Sequence, residues 1–211
     1  MGYTTSGIRN IALVGQAGAG KTSLVETLLL QAGATRARGS LARGTTVSDF
    51  DPQEKRLQHS LDTTICSFDY NGTHINLIDT PGYPDFFGKT LSVLEAVEAV
   101  AVVVSAASAI DTFTQRLMEF ARERGLCRLI IVNKIDSRDA HCSDALQQLR
   151  ESFGPECLPL NLPAGGGDGV VDCFFQLHGS VPSMKRSTKP RVWRQMPLHW
   201  LSIARPSSVM R

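Results

Sequence analysis

The chain has 211 residues, 42% of them hydrophobic, and a formal charge of +2, which is apolar content for one sizeable core and excludes disorder of the whole. Its longest apolar run, Ala99 to Ala107, falls far short of the roughly 20 residues of a membrane-spanning helix, and Met1 to Asn10 lacks the apolar stretch of a secretory signal. A soluble cytoplasmic protein without membrane contact is therefore expected. The five cysteines, Cys66, Cys127, Cys142, Cys157 and Cys173, are scattered, so they predict neither a disulfide framework nor a zinc site but reduced thiols, mostly packing.

In chain order, Ile8 to Val14 is the first strand candidate. Lys21 to Ala32 carries Leu24, Val25, Leu28 and Leu29 on one helical stripe, with Gly33 where a helix C-terminus wants glycine. Residues Gly33 to Leu61 fit neither period; they hold Gly39, Gly44, Pro52 and the polar run Thr45-Thr46-Val47-Ser48-Asp49. A loop of that length in a compact domain is more often functional than accidental. Thr63 to Tyr70 and Thr73 to Asp79 read as strands flanking Asn71-Gly72, a strong hairpin signal that predicts one antiparallel pair. Phe86 to Glu98, Thr112 to Arg124 and Asp144 to Phe153 read as helices. Val100 to Ser105 and Leu129 to Val132 are continuous apolar runs of the kind covered on both faces, and Leu158 to Leu162 is a sixth, weaker strand. The alternation predicts a doubly wound α/β fold.

A second break, Gly165-Gly166-Gly167-Asp168-Gly169, precedes a basic end. From Ser183 to Arg211 there are seven basic residues and no acidic one, so the preceding 182 residues carry a net charge of −5. This tail lacks helical or strand period, and a disordered end with weak RNA contact is its plainest reading.

Three motifs carry the chemistry. Gly15-Gln16-Ala17-Gly18-Ala19-Gly20-Lys21-Thr22, followed by Ser23, is a full phosphate-binding loop between the first strand and the first helix. Small residues let successive backbone N–H groups point at phosphate, Lys21 reaches the β and γ phosphates, and Thr22 offers a hydroxyl to Mg²⁺. The fold expected is thus the P-loop NTPase three-layer sandwich, a mostly parallel sheet with one antiparallel edge strand. Asp79-Thr80-Pro81-Gly82 ends the third strand, 58 residues beyond Lys21; the carboxylate suits the Mg²⁺ shell, and the Gly82 N–H suits the γ-phosphate. Asn133-Lys134-Ile135-Asp136 ends the fifth strand and selects the base. Its Asp136 carboxylate can accept from the N1 and N2 donors of guanine, a pair adenine lacks; Lys134 can lie along the purine face, and Asn133 can tie this loop to the phosphate loop.

These residues resemble the translational GTPases, specifically elongation factor G and its elongation-factor-G-like relatives. The likeness rests on Ile8 to Thr22, Arg43 to Pro52, Asn71 to Asp85 and Ile131 to Asp136, and covers roughly residues 6 to 182. It implies GTP hydrolysis to GDP with Mg²⁺, in a parent protein acting on the ribosome. It also implies a G domain over 1–163, the start of an insert over 164–182 containing Gly169-Val170-Val171-Asp172, and a truncated chain. By the same likeness Ser60 takes the place of a metal-binding threonine, so Thr22, Ser60 and Asp79 form the expected metal set. Tyr83 stands where the family usually has a water-positioning histidine, which makes Lys21, Gly82 and Tyr83 the catalytic candidates and slow turnover the expectation. Gly18 stands where elongation factors often carry an aspartate. His59 is read as a solvated loop residue. The alternatives are a GTP-binding module with little hydrolysis, favoured by Tyr83, and a basic RNA-binding protein, resting on the tail alone.

Overall fold

A computed structural model describes residues 2–48, 50–137, 140, 142–164 and 169–172. They fall into two compact units: one takes in the described residues up to Val104 with Asp111–Ile131, the other Ser105–Ile110 and the described residues from Val132 onward. The tail from Ser183 and the Gly165–Asp168 break lie outside the described residues.

Five strands, β1 (Ile8–Val14), β2 (Thr64–Tyr70), β3 (Thr73–Asp79), β4 (Ala99–Ser105) and β5 (Cys127–Asn133), form one sheet in the order β2-β3-β1-β4-β5. β1 pairs in parallel with β3 and with β4, while β2 pairs antiparallel with β3. The expected α/β sandwich with one antiparallel edge strand is what the chain adopts. Asn71 and Gly72 both have positive φ, 47° and 76°, the geometry a two-residue hairpin needs to follow the twist of its strands.

The helices are α1 (Lys21–Gln31), α2 (Pro52–Leu57), α3 (Phe87–Leu94), α4 (Thr112–Glu123) and α5 (Cys142–Phe153). α1 buries Leu24, Val25, Leu28 and Leu29 as its stripe predicts. It closes with Ala34 N–H on Leu29 O at 2.9 Å and Gly33 N–H on Leu30 O at 3.1 Å, the paired bonds that satisfy the last carbonyls of a helix. α4 starts at Asp111, whose carboxylate accepts from Thr114 N–H at 2.8 Å. It buries Phe113, Leu117, Met118 and Ala121, and Phe113 meets Phe87 of α3 edge-on at 5.7 Å.

Four details depart from expectation. The segment Gly33–Leu61 is not wholly irregular, since α2 lies within it. Asp51 caps that helix, Pro52 fits its first turn where no N–H is needed, and Glu54 completes a capping box. α3 stops at Leu94 rather than Glu98, because Ala96 N–H turns back to Val93 O at 2.9 Å and Val97 enters the core. β4 is buried along its length, but β5 is only half covered until Asn133, as befits the last strand in the sheet order. The sixth strand runs over Asn161–Ala164 instead of Leu158–Leu162 and pairs antiparallel with a seventh, Gly169–Asp172, in a separate two-stranded sheet. Cys66 packs in the core, where burial pushes its thiol up to about 11; Cys157 is part-buried and Cys127 exposed. No helix among the described residues is long and apolar enough to cross a membrane.

Leu77 on β3 is fully buried and Leu158 is exposed. Leu77→Ala should cost about 2–5 kcal/mol in urea unfolding, and Leu158→Ala less than about 0.5 kcal/mol.

Candidate functional site

The loop between β1 and α1 is shaped by a close approach that only glycine permits. Gly15 has φ 130°, and a Cβ there would sit 2.2 Å from the carbonyl oxygen of Val103 on β4. The loop can therefore turn back tightly at the strand end. Gln16, Ala17, Gly18, Ala19 and Gly20 carry it round to Lys21, with Ala19 N–H donating to Gln16 O at 3.3 Å. Gly20 occupies the helix cap in the left-handed conformation and has no side chain to offer the first-turn N–H groups, so this end of α1 keeps its partial positive charge.

Lys21 is buried at that end. Its ammonium donates to Gly15 O at 2.7 Å and to Gln16 O at 3.1 Å. Loss of water around it pulls its pKa from 10.5 to about 8, a fall that the charges of Asp79 and Asp111 oppose. Gly82 lies against the same group: a Cβ on it would be 2.4 Å from Lys21 Nζ and 2.6 Å from Ala17 N.

Next to Lys21, Thr22 donates its hydroxyl to Asp79 Oδ2 at 2.7 Å and meets Ser60 Oγ at 3.3 Å. All three are buried. Asp79 comes from the end of β3, Thr22 from α1 and Ser60 from the segment after α2, so residues 22, 60 and 79 converge on one point. Ser23 continues the helix, its carbonyl accepting from Thr27 and, at 3.3 Å, from Arg38. Thr80 is fully buried and donates to Leu13 O at 2.7 Å; Pro81 O accepts from Thr90 at 3.4 Å. These bonds anchor the chain just before Gly82. Tyr83 is 40% exposed, and its ring lies 4.6 Å from that of His59. His59 is thus part-buried beside Ser60 and Tyr83 rather than simply solvated.

In the second unit, Asn133 is buried and accepts from Lys134 N–H at 2.6 Å, and its carbonyl accepts from Ala106 N–H at 2.8 Å. Lys134 has φ 58°, and a turn closed by Ser137 N–H on Lys134 O at 3.1 Å leaves Lys134 and Asp136 exposed.

Two carboxylates escaped the reading of the sequence. Glu26 on α1 is fully buried and accepts from Gly39 N–H at 2.8 Å and Val47 N–H at 2.5 Å. Glu54 is buried and accepts from Leu61 N–H at 2.9 Å and Asp62 N–H at 3.1 Å. The Asp51-Pro52-Gln53-Glu54 string carries a capping-box signal for Glu54; nothing in the sequence marks Glu26, a single acid on an otherwise apolar stripe.

The family pattern described as the elongation factor Tu GTP binding domain matches residues 6–201. The chain belongs to that family. It is 38% identical over 183 residues to an elongation factor G-like protein of Mycobacterium tuberculosis (strain CDC 1551 / Oshkosh), a match covering 87% of this chain and 25% of the relative. It is 33% identical over 187 residues to peptide chain release factor 3 of Listeria monocytogenes serotype 4a (strain HCC23), covering 87% of this chain and 36% of that protein. A solved crystal structure of a protein from Thermus thermophilus superposes with a TM-score of 0.74 at 38% identity, over 79% of this chain and 26% of that one. The chain thus spans about a quarter to a third of the length of these relatives, and it is a GTP-binding domain of the translational GTPase kind.

The buried Lys21 of this GTP-binding domain sets a pH signature. Its folded pKa of about 8 lies below the 10.5 of an ordinary lysine, so between those values the unfolded chain binds more protons and stability rises with pH. Relative to Lys21→Met, the nucleotide-free chain should gain up to about 3 kcal/mol from pH 8 to 10.5, read by denaturant titration at each pH. A constant difference between the two chains would show that Lys21 is not perturbed.

Proposed function

We propose that this chain binds GTP and GDP with Mg²⁺, hydrolyses GTP to GDP and phosphate, and serves as the G domain of a longer factor acting on the ribosome. The observation that carries the reading is the convergence of Thr22, Ser60 and Asp79 beside the buried ammonium of Lys21. Two hydroxyls and a carboxylate are hard oxygen donors, the set Mg²⁺ prefers, and few in number, as suits an ion that keeps several waters. Thr22, Ser60 and Asp79 would hold the ion, which when bound would supply positive charge to offset the negative charge developing on the phosphates. Lys21 would give up a carbonyl contact to meet the phosphates, and the backbone N–H groups of Gly15, Gln16, Ala17, Gly18, Ala19 and Gly20, with those of Lys21, Thr22 and Ser23, would face them. The Gly82 N–H would meet the γ-phosphate, its approach allowed by the missing side chain. Asp136 is exposed and ionisable, fit to accept from guanine, with Lys134 along the ring and Asn133 fixing the turn.

Hydrolysis transfers the γ-phosphoryl group to water: a water oxygen bonds to phosphorus, the bridge to the β-phosphate breaks, and the proton passes to phosphate. Tyr83, standing beyond Gly82, would orient that water through its phenol hydroxyl, in place of the imidazole of a histidine. A binding module with little turnover is the second reading, favoured because the Tyr83 ring leans on His59. Ribosomal action is supported by relatives bearing the names elongation factor G-like protein, peptide chain release factor 3 and, in Drosophila willistoni, mitochondrial ribosome-releasing factor 2. The domain limits 1–163 and 164–182 and a weakly RNA-binding tail over 183–211 remain part of this proposal.

With Mg²⁺, GDP and GTP should bind while ATP fails to compete at about a hundredfold excess; discrimination of that size needs about 2.7 kcal/mol. Asp136→Asn should move preference toward xanthine nucleotides, and Lys21→Ala should abolish binding without unfolding. Equilibrium competition with a fluorescent GDP decides this, and tight ATP binding by the unmodified chain would sink the guanine assignment. Unaided phosphate release should run at or below roughly 10⁻⁴–10⁻² s⁻¹; several turnovers per second would refute the role given to Tyr83.

A further inference from the structure

We infer that Glu54 is a positioning residue for the metal-side hydroxyl, holding Ser60 beside Thr22 and Asp79 through the backbone that follows it. The inference rests on the proposed nucleotide reading and adds to it a residue that motif matching does not supply. Glu54 is 3% exposed and spends both carboxylate oxygens on backbone N–H groups. One oxygen accepts from Leu61 at 2.9 Å and Asp62 at 3.1 Å, the two residues immediately after Ser60. The other accepts from Asp51 N–H at 3.3 Å, at the start of α2. One carboxylate therefore staples the entry of α2 to the exit of the segment that carries Ser60.

The same peptide is braced from its other side. Lys89 on α3 donates to Leu61 O at 3.1 Å and pairs with Asp62 at 3.1 Å. Ser60, which has no regular secondary structure of its own, is left little freedom: its hydroxyl sits 3.3 Å from Thr22 Oγ1 with Leu61–Asp62 fixed behind it. Charge-assisted bonds to a buried carboxylate outweigh an exposed ion pair, so Glu54 rather than Lys89 is the principal hold.

The test uses the full chain and a fluorescent non-hydrolysable GTP analogue, titrated with MgCl₂. Losing the single Ser60 contact to the ion is worth roughly a tenfold change, so Glu54→Ala, which releases Ser60, should raise the Mg²⁺ concentration for half-maximal retention about tenfold. Affinity measured in EDTA should stay unchanged. Ser60→Ala should give the same shift, and the double variant should be no worse than either single one. Glu54→Gln, which keeps one acceptor oxygen, should fall between Glu54→Ala and the unmodified chain, and it carries the test if Glu54→Ala does not fold. A Glu54 variant of lowered thermal stability whose Mg²⁺ titration overlays that of the unmodified chain would overturn the inference, as would additive effects of the Glu54 and Ser60 changes. An unmodified chain that failed to bind the analogue at all would bring down the nucleotide reading itself, a result distinct from either.

Discussion

A single ammonium group, Lys21 Nζ, buried where the start of α1 already carries partial positive charge, is the constraint from which the local architecture follows. Dehydration and the helix end both disfavour the charge. The compensation comes from two carbonyl oxygens, of Gly15 and Gln16, and from the fields of Asp79 and Asp111. Those carbonyls reach the group only because the loop folds back over its own helix, which in turn requires Gly15 to press against Val103 O. Gly15 follows β1, Asp79 ends β3 and Val103 lies in β4, so β1 must stand between the other two strands. The observed register, with Leu13 opposite Asp79 and Val14 opposite Val102, brings these ends level. The sheet order is thus part of the site rather than a platform beneath it.

A cation held in this way is poorly satisfied, since two carbonyl dipoles do not replace a full hydration shell. In the proposed reading a phosphate supplies what water no longer does. The cost is carried by the rest of the core: α1 buries four aliphatic residues directly beyond Lys21, and β4 is covered along its whole length.

Most of this was legible in the sequence because strands, glycine turns and helix stripes are local signals. β1 and β3 have the predicted bounds, and the hairpin formed where Asn71-Gly72 indicated. Thr22, Ser60 and Asp79 meet, although Ser60 was reached by family likeness and not by any period. Part of what escaped depended on contacts distant in sequence. Glu26 accepts from residues 13 and 21 positions away, and a lone acid among Leu and Val gives no hint of partners that are backbone groups. α2 was missed although its cap was written out in Asp51-Pro52-Gln53-Glu54, because six residues are too few for a period to emerge. The half-covered state of β5 follows from its place in the sheet order, which an apolar run cannot reveal.

The segments on either side of the Thr22 and Ser60 hydroxyls are held by contacts of unequal strength. Leu61 and Asp62 are held by a buried carboxylate through bonds of the charge-assisted kind, about 1.5–3 kcal/mol each. The Tyr83–His59 ring contact is tilted, and Tyr83 is partly exposed, an arrangement worth about 0.5–1.5 kcal/mol at most. Gly82 and Tyr83 are anchored on both sides, at Thr80 and Pro81 before them and by Phe86 N–H on Tyr83 O at 3.0 Å after them. Lys89 on α3, the helix that continues from the Gly82 loop, donates to Leu61 O and pairs with Asp62, so this loop and the segment that bears Ser60 are coupled through α3.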